Sequence, residues 1–115
     1  MNRPLAIFAL AAVSLVALSA REQGQVREFA VTGNDHTFAP NRLEVQKDDL
    51  VKITFTASDM AHGFTVDDYR IMKRAGAGQT VTFEFRADRT GTFPFYCNLT
   101  ADDRCRTMKG TLVVR

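Results

Sequence analysis

The chain has 115 residues, enough for one domain and too few for two. Apolar residues make up 45% of it, but 15 of them fall within residues 1–20, which leaves an ordinary density for a small globular domain. Fifteen basic residues against 13 acidic ones exclude a nucleic-acid module driven by phosphate neutralisation, and two cysteines with no tryptophan exclude a disulfide-dense miniprotein.

The first element is a targeting segment. Met1-Asn2-Arg3 is a short positive start, Pro4 to Ala20 carries no charge, and Arg21-Glu22 ends the run. A positive head, an apolar stretch and small residues before a charged segment predict an export signal over residues 1–20, with a domain over 21–115. The alternative is an uncleaved anchor formed by residues 4–20, a run at the short end of what crosses about 30 Å of hydrocarbon. Both readings put the domain in the periplasm or outside the cell, with any membrane contact through this segment alone. Both also put it in an oxidising compartment, where paired cysteines persist.

Beyond the head, strand patterns follow one another. Gln25 to Val31 alternates loosely, Leu43 to Val45 cleanly, and Leu50 to Thr56 is a period-two run rich in β-branched residues. A short strand is expected at Phe64–Val66. Asp67 to Arg74 reads as a short helix or irregular loop, with Tyr69, Ile71 and Met72 as its apolar residues. Thr80 to Phe85 and Thr92 to Cys97 alternate again. Pro94, which has no N–H to donate, predicts a peripheral or bulged strand at that point. Thr111 to Val114 closes the series. Turn signals at Gly33-Asn34-Asp35, Lys47-Asp48-Asp49, Ala75-Gly76-Ala77-Gly78 and Asp88-Arg89-Thr90-Gly91 separate the runs. The fold class expected is all-β, a Greek-key sandwich or barrel.

The residues that carry chemistry are few and clustered. Cys97 ends a strand, Cys105 and Met108 follow in the connection to the last strand, and His62 sits between two strand signals in Asp59-Met60-Ala61-His62-Gly63-Phe64. Thiolate, imidazole and weak thioether are donors that suit copper. The same two cysteines, in an exported chain, are also a natural disulfide pair. Met60 and Met72 are expected to pack, and Asp102-Asp103-Arg104 with Arg106 to form a solvated loop. No paired carboxylates, phosphate loop or Ser/His/Asp order supports an enzyme.

Several stretches resemble one family. They are Phe38-Ala39-Pro40-Asn41-Arg42-Leu43-Glu44-Val45, His62-Gly63-Phe64-Thr65-Val66, Gly91-Thr92-Phe93-Pro94-Phe95-Tyr96-Cys97 and Met108-Lys109-Gly110-Thr111-Leu112-Val113-Val114. From Phe38 to Val114 the chain is similar to the cupredoxins, most of all to the copper A domain of cytochrome oxidase subunit II. His62, Cys97 and Met108 fall at that pattern's own spacing, 35 residues from the first to the second and 11 to the third. Two positions depart from it. Ala101 stands where the second bridging cysteine belongs, and Cys105 where the second histidine belongs.

The resemblance implies a cupredoxin-like sandwich that binds one copper ion per chain and acts as a small electron carrier. Its metal ligands would be His62, Cys97, Cys105 and Met108 and its partner a redox or copper-handling protein; a monomer is expected because nothing in the sequence marks a dimer face. A two-thiolate set implies a lower potential than a single-thiolate site, or a centre that stays cuprous, and Zn(II) is compatible with it. Two other outcomes stay open: a periplasmic Cu(I) carrier or buffer, and a metal-free fold locked by a Cys97–Cys105 disulfide. His36, in Asp35-His36-Thr37-Phe38, is a further candidate for ligand or supporting partner.

Overall fold

A computed structural model describes residues 24–115. The expected export segment lies outside them. Among the described residues, nine strands form two sheets. Strands β1 (Val26–Asn34), β2 (Thr37–Ala39), β4 (Leu50–Ala57) and β7 (Thr80–Arg86) make one, in the order β2-β1-β4-β7. Strands β3 (Arg42–Val45), β5 (His62–Val66), β6 (Ile71–Ala75), β8 (Gly91–Tyr96) and β9 (Lys109–Val114) make the other, in the order β3-β9-β8-β5-β6. Two short 3-10 turns, η1 (Asp67–Tyr69) and η2 (Asp103–Thr107), are the helical elements among the described residues. No helix among these residues is long and apolar enough to cross a membrane.

The sandwich follows from side-chain alternation. In β4, Val51, Ile53, Phe55 and Ala57 are buried and the residues between them are not, because successive side chains point to opposite faces. β1 runs parallel to β4 and sets Val31 beside Phe55, while β7 runs antiparallel and sets Phe83 beside Ile53. From the second sheet come Leu43 and Leu112, paired across the parallel β3 and β9. The two inner faces meet in an aromatic cluster: Phe64 stacks on Phe95 at 4.7 Å between ring centroids, and Phe38 meets Phe95 edge-on at 5.0 Å.

Three local expectations need correction. The stretch Asp67–Arg74 is a 3-10 turn followed by a strand, β6, whose buried ends Ile71 and Ala75 flank three residues of varied exposure. Basic residues at 73 and 74 masked its period. Met60 and Met72 do not pack in the core; both are exposed. β8 is not peripheral in the sheet, although its pairing with β5 is confined to Thr65 and Tyr96. Pro94 lies opposite Thr111, whose own N–H turns away to the carbonyl of Asn41, so the proline nitrogen faces the unpaired side and the missing donor breaks no ladder.

The strand registers bring four chain segments to one end of the sandwich. They are the β1–β2 turn after Gly33, the start of β5 at His62, the end of β8 at Cys97, and the η2 loop that leads through Met108 into β9.

Candidate metal centre

His62 opens β5 and is fully buried, with 0% of its surface exposed. Its Nε2 lies 2.7 Å from Asp59 Oδ1, and its Nδ1 has no hydrogen-bond partner. Asp59 also accepts the backbone N–H of Asp35 at 2.9 Å and of Met60 at 2.9 Å. These donors, the Asp35 amide first and the His62 ring second, hold the Asp59 carboxyl at a pKa of about 2. An ionised carboxylate therefore fixes the ring, as it does for histidines that bind metals.

Gly63 explains how the cysteine segment reaches His62. A β-carbon on Gly63 would lie 3.3 Å from the Asn98 backbone nitrogen and 2.8 Å from its side-chain Oδ1, so glycine eases the close crossing of the chain after β8. The crossing sets the Gly63 N–H on Cys97 Sγ at 3.3 Å, and the Leu99 N–H reaches Cys105 Sγ at 3.1 Å. Both sulfurs thus accept a backbone amide. Cys97 and Cys105 are 3% and 1% exposed and are joined as a disulfide, with 5.3 Å between their α-carbons. Of the two states left open for these residues, the structure has the bridged one.

The η2 turn carries Cys105 inward. Asp102 caps it by accepting the Arg104 N–H at 3.0 Å, and Thr107 Oγ1 donates to the Arg104 carbonyl at 2.9 Å. Met108, 0% exposed, follows at once, with its N–H on the Cys105 carbonyl and its own carbonyl accepting the Cys97 N–H. Gly33 floors this region: a β-carbon there would lie 3.0 Å from Met108 Cε and 3.1 Å from His62 Cδ2. The structure therefore gathers all four residues expected as ligands, His62, Cys97, Cys105 and Met108, at one buried place.

It also gathers groups outside that set. Asp35 and His36 both have positive φ, 51° and 55°, as a two-residue I′ hairpin turn requires. That turn puts the His36 ring 5.5 Å from the His62 ring, edge to face. His36 Nε2 lies 2.6 Å from Asp102 Oδ2, and that contact lowers the Asp102 pKa. Asp102 is therefore more than a solvated loop residue. Asp59 and Asp102 escaped the sequence reading. Asp59 carried one local signal, its place three residues before His62; Asp102 lies 66 residues from His36 and carried none.

With Cys97 and Cys105 joined, no three His, Cys, Asp or Glu side chains among the described residues are disposed to hold a metal ion. Reduction would change the donor set. It would supply two thiols beside a buried imidazole with a free nitrogen and a buried thioether, with backbone N–H groups already placed on both sulfurs. That set matches soft, thiophilic metals.

Comparison with known proteins bears on the fold. The metal-binding domain of the Cu(I)-exporting P-type ATPase CopA of Streptococcus pneumoniae, solved with Cu(I), superposes with a TM-score of 0.68 at 16% identity, over 82% of this chain and 96% of that domain. Auracyanin A, a blue copper protein of Chloroflexus aurantiacus, gives 0.67 at 17% identity, over 78% of this chain and 99% of that one. A heme-copper terminal oxidase gives 0.68 at 15% identity over 77% of this chain, which spans 65% of the matched oxidase chain. Identities this low speak for the fold alone. The family model of the cupredoxin-like domain matches residues 6–114. The chain belongs to the cupredoxin-like domain family.

Proposed function

We propose that this protein is an exported copper-binding electron carrier that takes one copper ion at His62, Cys97, Cys105 and Met108 once the Cys97–Cys105 bridge is opened. The residues fit the metal: His62 has a buried, unpartnered Nδ1, and the thiolates and thioether are soft donors. Opening the bridge consumes two electrons and two protons, which a pair of thiols supplies by leaving as a disulfide.

The observation that carries the choice of electron carrier is burial. His62 and Met108 are 0% exposed, Cys105 1% and Cys97 3%. Handing over an ion requires several of a partner's donors to enter the coordination shell, which burial this deep disfavours, whereas opening the bridge needs one thiol at Cys97, which borders a surface cleft. Electrons need no opening. Bound copper supplies a one-electron couple between Cu(I) and Cu(II). The chain's part is to hold that couple in one geometry: Asp59 orients His62, the Gly63 and Leu99 amides support the sulfurs, and Met108 excludes water. Export is supported by the uncharged run from Pro4 to Ala20, and the partner would be a second redox protein.

The bridge itself favours a second reading, a metal-free domain locked by the disulfide and used for binding alone. Copper titration of reduced protein separates the two. The carrier develops a thiolate-to-copper absorption band that Cys97→Ser abolishes, and it gives a reversible voltammetric wave. Cuprous binding without such a wave points instead to a Cu(I) carrier, and no binding in either oxidation state leaves the locked domain.

A further inference from the structure

His36 shares with His62 its burial, a carboxylate at Nε2 and an unpartnered Nδ1. It is 7% exposed, and its Nδ1 is buried without a hydrogen-bond partner. Its Nε2 is engaged by a carboxylate, Asp102, at 2.6 Å. A carboxylate at one ring nitrogen places the proton there and leaves the lone pair on the other, the arrangement that prepares an imidazole for a metal. The ring stands 5.5 Å from that of His62, in the same buried cluster. A histidine kept only to brace the turn would need its Asp102 contact and no second buried nitrogen.

We propose that His36 is a further copper ligand, supplying through Nδ1 a second imidazole that compensates for Cys105 standing at a histidine position. This rests on the copper-binding reading above and extends it from four ligands to five. Asp102 then serves the site twice, because the same side chain that holds His36 also caps the turn that carries Cys105. The β1–β2 turn and the η2 loop, far apart in sequence, are organised by one carboxylate.

Cu(I) is diamagnetic, so the reduced, full-length protein can be tested directly by long-range ¹H–¹⁵N correlation of its two histidines before and after one equivalent of Cu(I). The expected result is a large displacement of the Nδ1 resonances of both His36 and His62. Displacement of His62 alone, with His36 unmoved, overturns the proposal and leaves the four-ligand site standing. Displacement of neither, or no Cu(I) bound, overturns the copper reading as well. His36→Gln should weaken Cu(I), measured by competition with a chromophoric chelator, by about 10-fold or more. An unchanged affinity in a folded variant contradicts the assignment.

Discussion

Gly33→Ala tests whether the buried end of the sandwich is as tightly built as described. A β-carbon at this position would lie 3.0 Å from Met108 Cε, 3.1 Å from His62 Cδ2 and 3.1 Å from Phe55 Cζ. Carbon atoms in contact sit about 3.5–4.0 Å apart, so each neighbour must give way by several tenths of an ångström. All three are fully buried and none can swing into solvent. Overpacking of this kind costs about 1–3 kcal/mol. Removing a glycine restricts the unfolded chain and returns about 0.4–1 kcal/mol. The packing cost wins, for a net loss of about 1–2 kcal/mol, which moves a urea midpoint down by roughly 1 M for a small domain. Urea unfolding of the oxidised protein, followed by far-ultraviolet circular dichroism, reads it directly. A midpoint that stays put or rises would refute the claim that Met108, His62 and Phe55 close over Gly33.

The bridge joins residues of sequence separation 8, so reducing it, or replacing Cys105 by Ser, should cost about 2.5 kcal/mol by the loop-closure argument; urea curves with and without reductant check this, and coincident curves contradict it. Asp59→Asn should loosen His62 and weaken copper binding by the reduced protein by about 10- to 100-fold, read by chelator competition; an unchanged affinity would show that this carboxylate does not orient the ring. Glu44 has its pKa lowered from 4.5, first by the hydrogen bonds from Arg115 and then by that residue's charge. The pair's contribution is therefore complete above that ordinary value and is lost as pH falls through the lowered one. Arg115→Gln should return the Glu44 carboxyl titration, followed by ¹³C chemical shift, towards 4.5, and no movement would remove Arg115 as the cause.

What could be read from the chain was whatever depends on near neighbours. Period two in Leu50–Thr56 and Thr80–Phe85 marks the strands β4 and β7 because alternation is a local consequence of the pleat. β6 was missed for the same reason: five residues with Lys73 and Arg74 at their centre hold too little alternation to stand out. That His62, Cys97, Cys105 and Met108 lie together was legible because three of them keep the spacing of a known pattern. Their supports were not. Asp59 meets Asp35 from 24 residues away, and Asp102 meets His36 from 66; contacts that span two loops of a sandwich leave no periodic trace. Whether Cys97 and Cys105 are bonded to each other was equally hidden, since one loop and one spacing serve both a bridge and a ligand pair.

On the function proposed above, opening the Cys97–Cys105 bridge creates a copper site. This is tested most directly by counting free thiols and bound copper on the same sample of full-length protein, before and after reduction. No free thiols are expected in the bridged protein, then two thiols and one tightly bound copper per chain after reduction. Reduced protein with two free thiols that takes up neither Cu(I) nor Cu(II) would contradict it.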